Sequence, residues 1–350
     1  MSDGILAVLT TVVDKLNDFK DNGETAVGYS CLLTDGFANR GITNSTELVS
    51  LIQTYQQSTT GNPTSIPVYT MGFDNHDSRF MSNISTPMNG LYYKIDSEDI
   101  NGRVIIIPGM NYPAFQAGKR TSPIDGGNMN RVFPGDPDGN ITQIIADYFS
   151  RTLLPMADYV IDIHSGGKTM EFLPFGAAHI LDDKEQQARC VGAVEAFNAP
   201  YTLMLLEPDA THLYDTAAEN QGKVFVSTEL GGGGSASATS VKIAKRGISN
   251  VLMHAGILSG EPERGPSVSL DTMSPECFVR SEHSGLIEMC NDLGTEVKEG
   301  DLIAVVHDTE RTGSTPVEYR SKVDGIFMGR HFPCLIKPGD FLAVIALTVE

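Results

Sequence analysis

Tyr159-Val160-Ile161-Asp162-Ile163-His164-Ser165-Gly166-Gly167 is the stretch on which the fold turns. β-formers lead into it and two glycines close it, so it reads as a buried strand running into a tight loop. His164 then stands at the carboxyl end of that strand, the edge of an α/β sheet where ligands bind. A histidine there is either a metal ligand or a satisfied core residue, and its neighbours decide between the two.

Working outward, strands and helices alternate on both sides. Gly102–Pro108 carries the continuous apolar run Val104-Ile105-Ile106-Ile107 and reads as a strand, followed by a glycine-rich polar loop through Gly139. Helical spacing covers Thr142–Leu154, Lys184–Phe197 and Thr239–Leu258, with strands at Phe172–Phe175 and Val224–Thr228. The last strand ends at Glu229, ahead of the run Gly231–Gly234. Alternation of this kind implies an α/β fold with a mostly parallel sheet and flanking helices over residues 96–262. From Phe278 onward, short strands are separated by turns such as Asn291-Asp292-Leu293-Gly294 and Lys298-Glu299-Gly300-Asp301. Residues 263–350 therefore read as a small all-β domain. It looks like a barrel-sandwich hybrid without the modified lysine of a carrier, and so a cap or an assembly surface.

The first part of the chain has its own rhythm. Helices are expected over 1–19, 46–55 and 77–84, and strands over 28–33, 66–73 and 90–95, a β-α-β-α-β order that implies a parallel sheet. Residues 1–95 resemble the later half of a von Willebrand factor type A domain. The resemblance rests on Leu32-Leu33-Thr34-Asp35-Gly36, Gly41-Ile42-Thr43-Asn44, Ile66–Phe73, His76-Asp77-Ser78 and Asn89–Tyr93. That family holds a divalent cation through a DxSxS loop and further oxygens. Only Asp35 matches here, and one carboxylate does not hold a hard cation. Asp35 reads as a turn residue, and the acidic joint Asp96-Ser97-Glu98-Asp99 reads as a seam.

Length and composition set outer bounds. A chain of 350 residues with 41% hydrophobic and 20% charged residues has room for two or three domains. A formal net charge of −19 argues against nucleic acid and anionic membranes as partners, yet a few pocket arginines still allow an anionic substrate. Five scattered cysteines with no CxxC read as reduced thiols in a cytoplasmic protein. The first residues read as an amphipathic helix, not a signal peptide. No apolar run has the length of a membrane span.

Four clusters carry chemistry. Arg120 and Asn128-Met129-Asn130-Arg131 share a glycine-rich loop suited to an anion, since guanidinium offers a planar fork to carboxylates and oxyanions. Asp162 precedes His164 by two residues and shares its strand face, where it can orient the ring. Glu229, at a strand end before four glycines, is placed to act as a general base. Glu207, Asp209, His212 and Tyr214 form a pocket-edge set, for which structural and functional roles stand equal.

Together these motifs resemble the succinylglutamate desuccinylase/aspartoacylase family of zinc hydrolases, related to zinc carboxypeptidases. The branch that deacetylates N-acetyl-diaminobutyrate in ectoine breakdown resembles it most. The resemblance runs from about Asp99 to Ala346. It rests on Gly109–Phe115, Arg120–Arg131, Asp162–Gly167 and Thr228–Gly232. It implies a deacylase that cleaves the amide bond of a small N-acyl amino acid, with one zinc ion. It further implies His164 as a zinc ligand, Glu229 as the base and Arg120 as the group polarising the scissile carbonyl. Arg131 with Asn130 would bind the substrate carboxylate. Oligomers are compatible with this reading.

One departure matters. The family's other two ligands come from an H-x-x-E motif, and no His-x-x-Glu occurs before Gly102. His76, in Asp74-Asn75-His76-Asp77-Ser78-Arg79, has a similar setting and is the stand-in ligand. Arg79 occupies the glutamate's place, and a cation there repels zinc. Three protein ligands are usual for catalytic zinc, so weak zinc binding and impaired hydrolysis are expected. The implied history is a fusion in which a truncated von Willebrand-type segment replaces the front of the hydrolase. The alternative function is a catalytically silent binding or adhesion-type protein using that segment.

Overall fold

The computed structural model describes residues 30–34, 68–73, 92–95, 101–206 and 210–349. The chain divides into two compact units, Met1–Ala117 and Gly118–Glu350.

In the first unit, strands β1 (Ser30–Thr34), β2 (Val68–Phe73) and β3 (Tyr92–Ile95) form a parallel three-stranded sheet in that order. The register is Ser30↔Val68 and Thr70↔Tyr92. β2 and β3 fall within the expected spans 66–73 and 90–95, and β1 runs one residue past the expected 28–33. The expected helices at 1–19, 46–55 and 77–84 lie outside the described residues, as do Asp35, His76 and Arg79. The expected strand Gly102–Pro108 is absent: residues 101–110 form no ladder, and Ile105, Ile106 and Ile107 are each about two-fifths exposed. An apolar run becomes a strand only where a partner receives its backbone N–H and C=O groups. Helix α1 (Tyr112–Ala117) follows.

In the second unit, helix α2 (Ile141–Tyr148) begins at Asn140, whose side chain accepts from Gln143 N–H in a reciprocal capping box. The expected helix ran to Leu154. Instead the last turns widen at Phe149–Leu153 and then tighten at Leu154–Met156, where Pro155 lacks an N–H. Strands β4 (Tyr159–Asp162), β5 (Met170–Phe172) and β6 (Phe175–His179) come next. The single strand expected at Phe172–Phe175 is thus two, parted at Leu173-Pro174. Helix α3 (Lys184–Phe197) has the expected bounds; Asp183 caps its start and Asn198, at φ 55°, ends it. The elements β7 (Tyr201–Leu205) and α4 (Tyr214–Glu219) were not anticipated. Strand β8 (Val224–Glu229) and helix α5 (Ala238–His254) complete this stretch.

The remaining strands are β9 (Val268–Asp271), β10 (Phe278–Arg280), β11 (Gly285–Met289) and β12 (Glu296–Val297). They continue with β13 (Leu302–His307), β14 (Val317–Arg320), β15 (Gly325–His331), β16 (Leu335–Ile336) and β17 (Phe341–Thr348). A ten-stranded sheet runs β12-β15-β17-β9-β7-β6-β8-β4, with β10 on β17 and β5 on β15, and a second sheet runs β14-β13-β11-β16. The pairs β4–β8, β6–β7 and β7–β9 are parallel; β6–β8 and the pairs made by the C-terminal strands are antiparallel. The fold is therefore mixed α/β. No break in this sheet falls at residue 262. β9 joins the front strands to β17, and one core gathers Met170, Ala177 and Leu203 with Leu270, Met328 and Val344.

Alternation along β8 sets up the site. Val224 and Val226 face a core with Phe197, Val194 and Val251 of α3 and α5. Phe225 faces the opposite side, with Val160, Leu154 and Ala218. With a two-residue period, Asp162 follows Val160 and Glu229 follows Phe225 onto that same second face.

Candidate active site

His164 leaves β4 just beyond its last paired residue. Thr228, fully buried, fixes the exit: its hydroxyl accepts from His164 N–H at 3.1 Å and donates to the Asp162 carbonyl at 3.0 Å. Leu230 N–H donates to the His164 carbonyl at 2.9 Å. The loops after the two strands are laced together by Gly166 N–H to Gly231 O, Gly234 N–H to Gly167 O and Gly233 N–H to Met170 O. Gly232 has φ +156°, and a Cβ there would lie 2.1 Å from the Met170 carbonyl oxygen. A side chain at 232 would break the lacing, which is the physical reason for the glycine run.

The His164 ring is about two-fifths exposed, and its Nε2 lies 2.7 Å from Asp162 Oδ2. A carboxylate only accepts, so Nε2 carries a proton, and Nδ1 offers a lone pair only once the ring has lost its second proton. The hydrogen bond to Asp162 raises the imidazole pKa to about 9 against the opposing effect of burial, with help from the charges of Asp162, Glu229 and Asp215. Burial of Glu229 raises its carboxyl to about 7; the positive charges of His164 and Arg120 pull the other way, and Asp162 adds to the rise. Glu229 Oε2 is buried and has no hydrogen-bond partner. An orphaned carboxylate oxygen beside a histidine and an arginine marks a place built for something not among the described side chains.

Arg120 is exposed on the loop that Asp125 anchors. Asp125 accepts from Gly127 N–H at 2.8 Å, and from Thr142 N–H and hydroxyl at 2.8 Å each. Burial pushes the Asp125 carboxyl up, but these bonds hold it below the usual aspartate value overall. The loop thereby docks on the start of α2.

Asn130 and Arg131 have other engagements. The Asn130 side-chain oxygen accepts from Tyr214 N–H at 2.7 Å, satisfying a donor in the first turn of α4 from across the fold. Arg131 is exposed, and its guanidinium donates to the Asn130 carbonyl. Among the described residues no contact joins Arg131 to His164 or Glu229. His212 donates from Nδ1 to the Phe133 carbonyl at 2.9 Å, stitching the same loop. Tyr214 packs among Phe133, Phe149 and Phe225, with ring centroids 5.0, 5.8 and 5.6 Å away. Burial and the Asp162 charge push its phenol well above its ordinary pKa. The tyrosine is a core residue backing Asp162. Glu207 and Asp209 lie outside the described residues. Sequence reasoning missed Thr228 as the latch, Asp125 as the anchor and Asp215 as a charge acting on His164; all three signals are long-range pairings.

The zinc that the resemblance implies would have to be held by these donors. His164 suits one coordination position through Nδ1 once its ring is neutral. No group of three or more His, Cys, Asp or Glu among the described residues is arranged to hold a metal ion. The described set alone does not make a catalytic zinc cage, which needs three protein ligands.

The family model for the succinylglutamate desuccinylase/aspartoacylase catalytic domain matches residues 87–255. The N-alpha-acetyl-L-2,4-diaminobutyric acid deacetylase of Halomonas elongata is 52% identical over 268 residues, covering 76% of this chain and 78% of the relative. The product-bound structure of the ectoine utilization protein EutE (DoeB) from Ruegeria pomeroyi is 48% identical with a TM-score of 0.70, covering 93% of this chain and 87% of that one. A succinylglutamate desuccinylase/aspartoacylase from Rhodobacter sphaeroides is 28% identical with a TM-score of 0.69, covering 93% of this chain and 87% of that one. The chain belongs to the succinylglutamate desuccinylase/aspartoacylase family. Its relatives include deacetylases and desuccinylases, which supports hydrolysis of an N-acyl amino acid. Among the described residues no helix is long and apolar enough to cross a membrane.

Proposed function

We propose that this chain is a deacylase that hydrolyses the amide bond of a small N-acetylated diamino acid. The observation that carries the reading is Glu229: a carboxyl raised to about 7, with one oxygen unpartnered, beside His164 and Arg120. Such a group is half-deprotonated near neutral pH, the condition for taking a proton from water and returning it to an amine. Arg120 supplies positive charge where the carbonyl oxygen becomes an oxyanion. Arg131 and Asn130 hold the substrate carboxylate, which turns binding into orientation. Zinc is the proposed cofactor, with His164 as one ligand and His76 as another. When bound, it would acidify water and polarise the carbonyl. The protein works in the cytoplasm on a small molecule, without nucleic acid or membrane. The von Willebrand-type front segment is proposed as the replacement for the family's own first part.

Acetate release from N-acetyl-diaminobutyrate, measured with and without added zinc, tests the proposal. Release that depends on Glu229 supports it; none under either condition refutes it. A second reading is a catalytically silent binding or adhesion-type protein using the front segment; in its favour, no three-donor group stands among the described residues. Calorimetric titration with zinc separates the two, since affinity weaker than about micromolar is far below that of structural or catalytic sites. Arg79→Glu should strengthen zinc binding where His76 is a ligand, and leave it unchanged otherwise.

A further inference from the structure

Phe332 joins the C-terminal strands to the two loops of the site. It directly follows β15, which pairs antiparallel with β5 in the register Gly329↔Phe172, Arg330↔Glu171 and His331↔Met170. Its N–H donates to the Thr169 carbonyl at 2.8 Å, one step beyond that ladder. Its ring lies over Gly233: Cε2, Cδ2 and Cζ are 3.4, 3.5 and 3.6 Å from where a Cβ on that glycine would stand. Thr169 belongs to the loop that leaves His164, and Gly233 to the loop that leaves Glu229. Gly233 N–H itself donates to the Met170 carbonyl at 3.1 Å, and Glu171 bridges to Gly232. Arg330 ties the same edge together, donating from Nε and Nη2 to Glu171 Oε2 at 2.8 and 2.6 Å.

The glycine loop needs such a cover. Gly231 to Gly234 all have positive φ, +95°, +156°, +67° and +73°, and glycine loses more conformational freedom on ordering than any other residue. Four in a row offer no side chain with which to pack. Phe332 supplies that bulk from outside the loop. It stays 39% exposed, so part of its apolar area remains in water and its share of overall stability is modest. We propose that Phe332 is a positioning residue, which pins the loop after Glu229 against the loop after His164 and thereby fixes the spacing of those two side chains for amide hydrolysis. The proposal rests on the deacylase reading above and adds a residue that acts through the backbone without touching substrate. A misplacement of about 1 Å at a reacting group costs about a hundredfold in rate.

The test follows the full chain and its variants Phe332→Ala, Phe332→Leu and Phe332→Tyr by acetate release from N-acetyl-diaminobutyrate and by amide hydrogen exchange. Phe332→Ala should lower kcat about tenfold with KM little changed. It should also speed exchange about tenfold in residues 165–171 and 230–235, while β13 and β14 stay as protected as before. Phe332→Tyr, which keeps the ring, should restore both. Phe332→Leu, milder than alanine, reads the same two quantities where Phe332→Ala fails to fold. Faster exchange in the two loops with kcat unchanged overturns the proposal, because the ring then steadies the loops without setting the chemistry. A lower kcat with exchange unchanged, or a rise in KM alone, overturns it in favour of direct contact with substrate. Faster exchange throughout the C-terminal strands overturns it in favour of a general packing role, and no change in either quantity overturns it outright. No acetate release from the unaltered chain refutes the deacylase reading and removes the kinetic role with it; exchange in the two loops then still decides whether Phe332 pins them.

Discussion

His179 and His164 both stand beside acidic side chains, with opposite consequences. His179, at the end of β6, has Nδ1 2.9 Å from Glu219 Oε1 and Nε2 3.8 Å from Asp215 Oδ2. Its side chain is 9% exposed, and those of Glu219 and Asp215 are 7% and 13% exposed. Gln186 closes the neighbourhood by donating to the Glu219 and Lys223 carbonyls. His164 has one carboxylate partner, a 41% exposed ring, an Nδ1 outside that bond and a neighbouring glutamate with an orphaned oxygen. Residue type does not separate the two. Completion does: a polar cluster that satisfies itself holds the fold, and one left unfinished at a strand end is available to a ligand.

The comparison breaks first, and by the largest margin, at Glu229. Glu229→Gln should lower acetate release by about a thousandfold, while thermal melting stays close to that of the unaltered chain. A large loss of melting temperature with activity retained would reverse the two roles.

His179→Leu should act in the opposite sense. It leaves Glu219 buried without its partner, and removing one member of a buried pair costs about 3 kcal/mol. Urea denaturation reads that loss. A stability change near zero would mean that the self-satisfied cluster is not holding α4 to β6.

A proton titration sharpens the contrast. In metal-free protein, the His164 ring followed by NMR should titrate near 9. Asp162→Asn removes the hydrogen bond that causes the rise, and should lower the value by about one to three units. The folded-state pKa lies above the ordinary 6.5, so the stability this pair contributes is fully present below 6.5 and is lost as pH rises through 9. A flat melting profile over that window, with the titration unmoved in Asp162→Asn, would remove Asp162 as the orienting partner.

The smallest effect belongs to the loop between the clusters. Asn130→Ala deletes the acceptor for Tyr214 N–H and should cost about 1 kcal/mol, as a lost hydrogen bond does. If substrate affinity falls and stability does not, Asn130 belongs to the pocket and not to the first turn of α4.

Much of the architecture was legible. Lys184–Phe197 reads as a helix in the sequence, and the structure has the same bounds, with Asp183 capping the start and Asn198 turning left-handed at the end. Val224–Glu229 and Tyr159–Asp162 have the β-branched content and glycine boundaries of buried strands. Three stretches misled or went unread. The run Val104–Ile107 has strand composition and no ladder. Phe175–His179, with a glycine and two alanines in its centre, is a fully buried strand with little β-former character, and its Gly176 lies under Val194. Tyr201–Leu205 becomes a strand because β6 and β9 flank it in parallel.

Local chemistry written in the sequence was enough to mark His164 and Glu229 as strand-end residues before glycines, because alternation and turn signals act within a few positions. Tertiary structure decided which faces met. The pairing of Asp162 with Ser227 brought the two strand ends side by side, Thr228 latched them, and burial set the proton affinity of Glu229. Those outcomes depend on contacts more than sixty residues apart along the chain, and no short-range pattern encodes them.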